Sequence, residues 1–133
     1  MLQATIDTRL FMTHFLAAVS DLKLQTRRKM IELQEQSGIV PTIVLHEVYK
    51  SLADIVGKDV ADLSINNIVN SNFTIIALTT DIAILSAQLR NKYRSLPTAD
   101  AIIAATAIVS KSGIVISDDP HFKQIRQIKT QWL

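Results

Sequence analysis

Asp7, Glu47, Asp100 and Asp119 each fall where an apolar stretch or loop gives way to a helical pattern, and they are scattered over almost the whole chain. Carboxylates that recur at one structural position, far apart in sequence, are what a metal-dependent phosphodiesterase needs. Their oxygens can converge on a hard divalent cation, which then activates water and screens a phosphate. Each acid also has a plainer reading. Asp7 directly follows the first apolar stretch, where an aspartate accepts backbone N–H bonds and favours the positive end of the helix dipole. Asp100 stands two residues after Thr98 at another helix start. The run Ala101-Ile102-Ile103-Ala104-Ala105 makes that helix central, so a charge at its buried start needs a partner. Glu47 borders the apolar stripe Val44, Val48, Leu52 and Ile55, beside Ser51. Asp118 and Asp119 lie in an Asp-Asp-Pro turn, where Asp119 can cap a helical turn opened by Pro120. Singly, none is diagnostic. Together they put like charges at one edge of a sheet, a repulsion that packing does not call for and a divalent cation removes.

The elements that must position these acids alternate between strand and helix. Met1–Ile6 alternates apolar and polar residues and reads as a short strand, polar for a central one. Thr8 is expected to cap a helix over 9–19. A second helix over 21–36 ends at Gly38, read as a left-handed cap. Ile39-Val40-Pro41 is a brief strand, Thr42 caps a helix over 43–55, and Gly57 separates it from a helix over 59–70. Phe73–Leu78 is β-branched and apolar, a convincing strand. Thr80 or Asp81 opens a helix to about Tyr93, and Pro97-Thr98 starts a buried helix over 99–110 that Gly113 ends. Ile114–Ile116 is a strand, a helical turn follows near 121–125, and the tail 128–133 adds an edge strand. Such alternation implies βαβ units and a parallel sheet with helices on both faces, whose ligands gather at the carboxyl ends of the strands.

Composition narrows the classes. At 133 residues, 48% hydrophobic and 20% charged, the chain suits one folded domain spanning 1–133 rather than a disordered segment. Lys+Arg exceed Asp+Glu by only 14 to 12, which permits a polyanionic partner without demanding one. With no cysteine, disulfides, zinc–thiolate sites and thiol catalysis are excluded. His14, His46 and His121 form no paired metal-binding spacing, which speaks against a histidine-rich site. Neither a secretory signal nor a run long enough to span a membrane is evident, so a soluble cytoplasmic protein is expected.

The segments Ile6-Asp7-Thr8, Val44-Leu45-His46-Glu47, the run from Thr98 to Ala107 and the run from Val115 to Phe122 resemble, in order and spacing, the acidic motifs of PIN domains. The likeness covers about residues 4 to 125, and its most specific parts are DAIIAATA and SDDPHF. In size the chain is similar to VapC toxins of prokaryotic toxin–antitoxin pairs. The resemblance implies a three-layer α/β/α fold around a mostly parallel sheet of about five strands. It further implies Mg²⁺- or Mn²⁺-dependent cleavage of RNA, dimerisation and inhibition by a small antitoxin. Asp7, Glu47, Asp100 and Asp119 are then the acidic quartet, with Asp118 an additional candidate ligand. Thr8 and Ser117 are supporting hydroxyls. Asp119 is favoured over Asp118 because it stands three residues before Phe122, as the motif requires. Arg9 departs from the family's usual Asn or Ser, either adding a phosphate contact or blocking a position that steadies the metal. Cleavage in this family usually leaves a 5′-phosphate and a 3′-hydroxyl.

RNA is expected to meet cations around the site: Arg9, Lys50, and the cluster Arg90, Lys92 and Arg94 with Tyr93 as a stacking ring. The cluster also reads as a solvated helix end, where cations favour the negative pole of the dipole. A housekeeping PIN nuclease, and a catalytically silent PIN domain that binds RNA or protein, are the competing functions. A haloacid-type phosphatase fits poorly, because Asp7-Thr8-Arg9 lacks the second aspartate of that motif.

Overall fold

The computed structural model describes residues 3–18 and 20–133. Its elements are β1 (Thr5–Ile6), α1 (Thr8–Leu16), α2 (Ser20–Glu35), β2 (Ile39–Pro41), α3 (Thr42–Val56), α4 (Lys58–Asn70), β3 (Thr74–Ile76), α5 (Thr80–Lys92), α6 (Thr98–Val109), β4 (Ile114–Ile116), a 3₁₀ turn (Pro120–Gln124) and β5 (Lys129–Gln131). The first two residues of the expected strand over 1–6, and Val19 at the expected end of the first helix, lie outside the described residues. The five strands pair in the order β3-β2-β1-β4-β5, and every pairing is parallel. Among the described residues, six helices complete a three-layer α/β/α fold. No helix among the described residues is long and apolar enough to cross a membrane.

The polarity of β1 is resolved by its neighbours. This strand is central, with Thr5 opposite both Ile39 and Val115. Thr5 is fully buried, and its hydroxyl lies 2.8 Å from that of Ser112, so the buried polar group is satisfied. Gln3 donates to the Ser37 carbonyl at 2.9 Å. Thr5 in the central strand and Gln3 just before it are tolerated because each finds a partner.

The chain order also creates a break in direction. From β1 it moves outward through β2 to β3, then returns through α5 and α6 to place β4 on the other side of β1. The carboxyl ends of β1 and β4 therefore flank a topological switch point, where open parallel sheets bind ligands. Helix α6 is the central helix its composition implied: every residue from Ala101 to Ala107 is buried. Because it leads into the amino end of a parallel strand, its own amino end, carrying Asp100, faces the carboxyl edge of the sheet.

Several helix ends differ from expectation. The α1 cap is Asp7, whose Oδ1 accepts the Thr8 N–H at 2.8 Å, leaving the Thr8 hydroxyl free for other work. Pro41 and Pro97 precede α3 and α6 without side-chain caps, so Thr42 and Thr98 are first helical residues. At α3 there is no loop residue to do the capping, because strand β2 runs straight into the helix. Thr79, rather than Thr80 or Asp81, caps α5 by accepting the Ile82 N–H at 3.3 Å. The left-handed residue after α2 is Ser37 (φ 55°), not Gly38. Gly38 matters for space: a Cβ there would stand 3.1 Å from both the Leu33 carbonyl oxygen and Ile6 Cδ1.

Candidate functional site

Asp7 directly follows β1 and is almost wholly buried. Its backbone N–H donates to the Ile116 carbonyl at 3.2 Å, continuing the β1–β4 ladder by one bond. Its Oδ2 accepts the Ser117 hydroxyl at 2.6 Å, and Ser117 Oγ in turn accepts the Asp119 N–H at 3.0 Å. The turn after β4 is thus latched to the turn after β1 through one hydroxyl. Glu47 enters from the second turn of α3, half-buried, with its Oε1 accepting the Thr8 hydroxyl at 2.7 Å.

Asp100 and Asp119 meet at His121. The His121 Nδ1 lies 3.0 Å from Asp100 Oδ2 and 3.1 Å from Asp119 Oδ1. Ligand atoms of Asp100, Asp119 and His121 all lie within 4.8 Å of one another. Asp119 also caps the 3₁₀ turn by accepting the His121 N–H at 2.9 Å.

The electrostatics show that the acids share one basin. Burial pushes the Asp7 carboxyl up to about 6; the Ser117 and Thr8 bonds oppose this, while Asp100 and Glu47 add to it. Burial likewise raises Asp100, with Asp119 and Glu47 adding to the shift and His121 opposing it. Each of these carboxyls therefore feels acids from distant parts of the chain. Arg9 bridges the rim, with Nε 2.9 Å from Asp118 Oδ1 and Nη1 3.3 Å from Asp119 Oδ2.

A family model for the PIN domain matches residues 6–128, which takes in all four acids. The chain belongs to the PIN-domain family. No curated protein sequence was found to match it. Among solved structures, the fold is similar to DNA-bound VapBC from Salmonella typhimurium, with 18% identity, a TM-score of 0.78 and coverage of 99% of this chain and 98% of that one. It is also similar to VapBC2 from Rickettsia felis bound to a promoter DNA fragment, at 14% identity, a TM-score of 0.77 and 96% of each chain. A third is VapC20 of Mycobacterium tuberculosis, a sarcin-ricin loop cleaving toxin, at 15% identity, a TM-score of 0.74 and 90% and 92% coverage. At these identities the likeness is one of fold.

Within this PIN domain the structure brings Asp7, Glu47, Asp100 and Asp119 together with the hydroxyls of Thr8 and Ser117. Asp118 points to the more exposed side, where it pairs with Arg9. Among the five cations expected to meet RNA, Arg9 contacts these acids. Lys50 pairs with Asp54 at 2.6 Å, Arg90 Nε donates to the Leu96 carbonyl at 3.1 Å, and Lys92 Nζ lies 5.4 Å over the Tyr93 ring. Arg94 is exposed just beyond them, and the Tyr93 hydroxyl accepts the Arg126 N–H at 3.4 Å. The residue that sequence reasoning passed over is His121. Searching for pairs of histidines hides a single histidine that works with aspartates; its place two residues after Asp119, in a turn, was the available signal.

Proposed function

We propose that this PIN domain is a Mg²⁺- or Mn²⁺-dependent endoribonuclease, the toxin of a VapBC-type toxin–antitoxin pair, acting in the cytoplasm as a homodimer. The observation that carries the reading is the convergence of Asp7, Glu47, Asp100 and Asp119 at the β1/β4 switch point, with the Asp7 and Asp100 carboxyls held above their ordinary range. Like charges gathered under partial burial are costly unless a cation joins them, and an oxygen-rich donor set suits a hard divalent ion.

Asp7, Asp100 and Asp119 are assigned to hold the ion, directly or through water. When bound, such an ion polarises the scissile phosphate and supplies an activated water. Glu47, steadied by the Thr8 hydroxyl, binds a second ion or orients the attacking water. Ser117 keeps Asp7 and Asp119 in mutual register. Arg9, half-exposed at the rim, exchanges its carboxylate partners for a backbone phosphate of the RNA.

Two observations support a protein partner. The structural neighbours include VapBC complexes. In addition, a groove of about 660 Å³ opens among α1, α2 and the end of α4, its lining mixing Phe15, Leu24 and Phe73 with His14, Lys23 and Arg27 and including none of the four acids. Purified protein should cleave RNA with Mg²⁺ or Mn²⁺, lose activity with a chelator and lose it in Asp7→Asn. Its expression alone should arrest growth, and a small neighbouring gene should relieve the arrest. RNA cleavage that persists in the chelator would overturn the reading.

A further inference from the structure

His121 is the one non-acidic member of the group formed with Asp100 and Asp119. Its Nδ1 stands 3.0 Å from Asp100 Oδ2 and 3.1 Å from Asp119 Oδ1. Adjacent donors of an octahedral ion with bonds near 2.1 Å are about 3 Å apart. The two separations therefore suit three neighbouring ligands of one ion as well as they suit hydrogen bonds.

The backbone that carries the imidazole is held in place by its surroundings. Pro120 opens the 3₁₀ turn, Asp119 accepts the His121 N–H, and the next residue, Phe122, is fully buried and anchors the turn. The ring itself remains 41% exposed, so packing does not account for its orientation. His14 lies on α1, with Nδ1 3.4 Å from Thr26 Oγ1, and His46 is exposed on α3.

Resting on the nuclease reading above, we propose that His121 supplies a nitrogen ligand to the ion held by Asp100 and Asp119. The site then favours transition ions such as Mn²⁺ and Co²⁺ over Mg²⁺. Mg²⁺ takes oxygen ligands and gains little from an imidazole, whereas later first-row ions bind nitrogen with increasing strength.

Pulsed electron paramagnetic resonance on Mn²⁺-loaded protein detects nitrogen bound directly to the ion. The parent is expected to show nitrogen coupling that disappears in His121→Ala while Mn²⁺ still binds. His121→Asn, which can offer an oxygen near the place of Nδ1, should also bind Mn²⁺ without nitrogen coupling. In titration calorimetry both variants should weaken Co²⁺ binding by at least about tenfold, with a smaller effect on Mg²⁺. Asp100-dependent Mn²⁺ binding without nitrogen coupling in the parent, or coupling that survives both substitutions, overturns the proposal and leaves the nuclease reading intact. A parent that binds no divalent ion overturns both.

Discussion

The Ser117 hydroxyl donates to Asp7 Oδ2 across 2.6 Å, joining the ends of β4 and β1 through residues 110 positions apart. The same oxygen accepts the Asp119 N–H, so one hydroxyl orients two acids. Ser117→Ala should cost about 1–3 kcal/mol, since it leaves a buried carboxylate short of a donor. It should also drive the Asp7 carboxyl further upward, because this bond is the strongest effect holding it down. Urea melts and NMR titration of the Asp7 carboxyl carbon measure both effects.

The pH dependence of the metal-free protein follows from Asp7. Its carboxyl titrates at 3.8 in an ordinary setting and at about 6 here. Between those values the folded chain binds more protons than the unfolded one, so stability falls as pH rises through the window. The penalty is absent below about pH 4, complete above about pH 6, and on the order of 3 kcal/mol. Asp7→Asn should remove this fall and melt higher than the parent near neutrality. If parent and variant show parallel pH profiles, the buried Asp7 carboxylate does not carry this penalty.

Asp100 should behave as a functional acid that harms stability. Burial and the Asp119 charge hold its carboxyl above the usual range. Asp100→Asn is therefore expected to abolish RNA cleavage yet raise the metal-free melting temperature. Mn²⁺ at a hundred times its dissociation constant stabilises a binding protein by about 2.7 kcal/mol. Calorimetric melts should show that gain in the parent and much less of it in Asp100→Asn.

Arg9 competes for the carboxylates that it also guards. Its guanidinium is half-exposed, so the pairs with Asp118 and Asp119 contribute little and Arg9→Gln should change stability by about 1 kcal/mol or less. Removing the guanidinium should tighten Mn²⁺ binding and raise KM for RNA, a split visible by titration calorimetry and steady-state kinetics.

Thr8 tests whether Glu47 must be steadied. Thr8→Val deletes the donor to Glu47 Oε1 while keeping the shape, so kcat should fall with stability changed by about 1 kcal/mol. Thr8→Ser retains the hydroxyl and should restore kcat.

What could be read beforehand divides along physical lines. Helix α6 was legible because a run of Ala and Ile has no place except the core. The meeting of Asp7, Asp100 and Asp119 was legible because βαβ alternation sends strand ends and helix starts to one edge, while Glu47 reaches that edge from the second turn of α3. Helix caps were not, since Asp7 and Thr8 are both good caps and only the fold decides which is needed to reach Glu47. Gly38 suggested a left-handed turn, yet its role is room for Leu33 and Ile6, a contact set by tertiary packing. His121 was hidden for the same reason: its partner Asp100 lies 21 residues away on another element.

A crystal soaked with Mn²⁺ tests the shared-basin claim most directly, through an anomalous difference map. A peak within coordination distance of Asp100 and Asp119, with Asp7 bound directly or through one water, is the expected result. Ordered Mn²⁺ at other surface acids, with this quartet empty at saturating concentration, would contradict it.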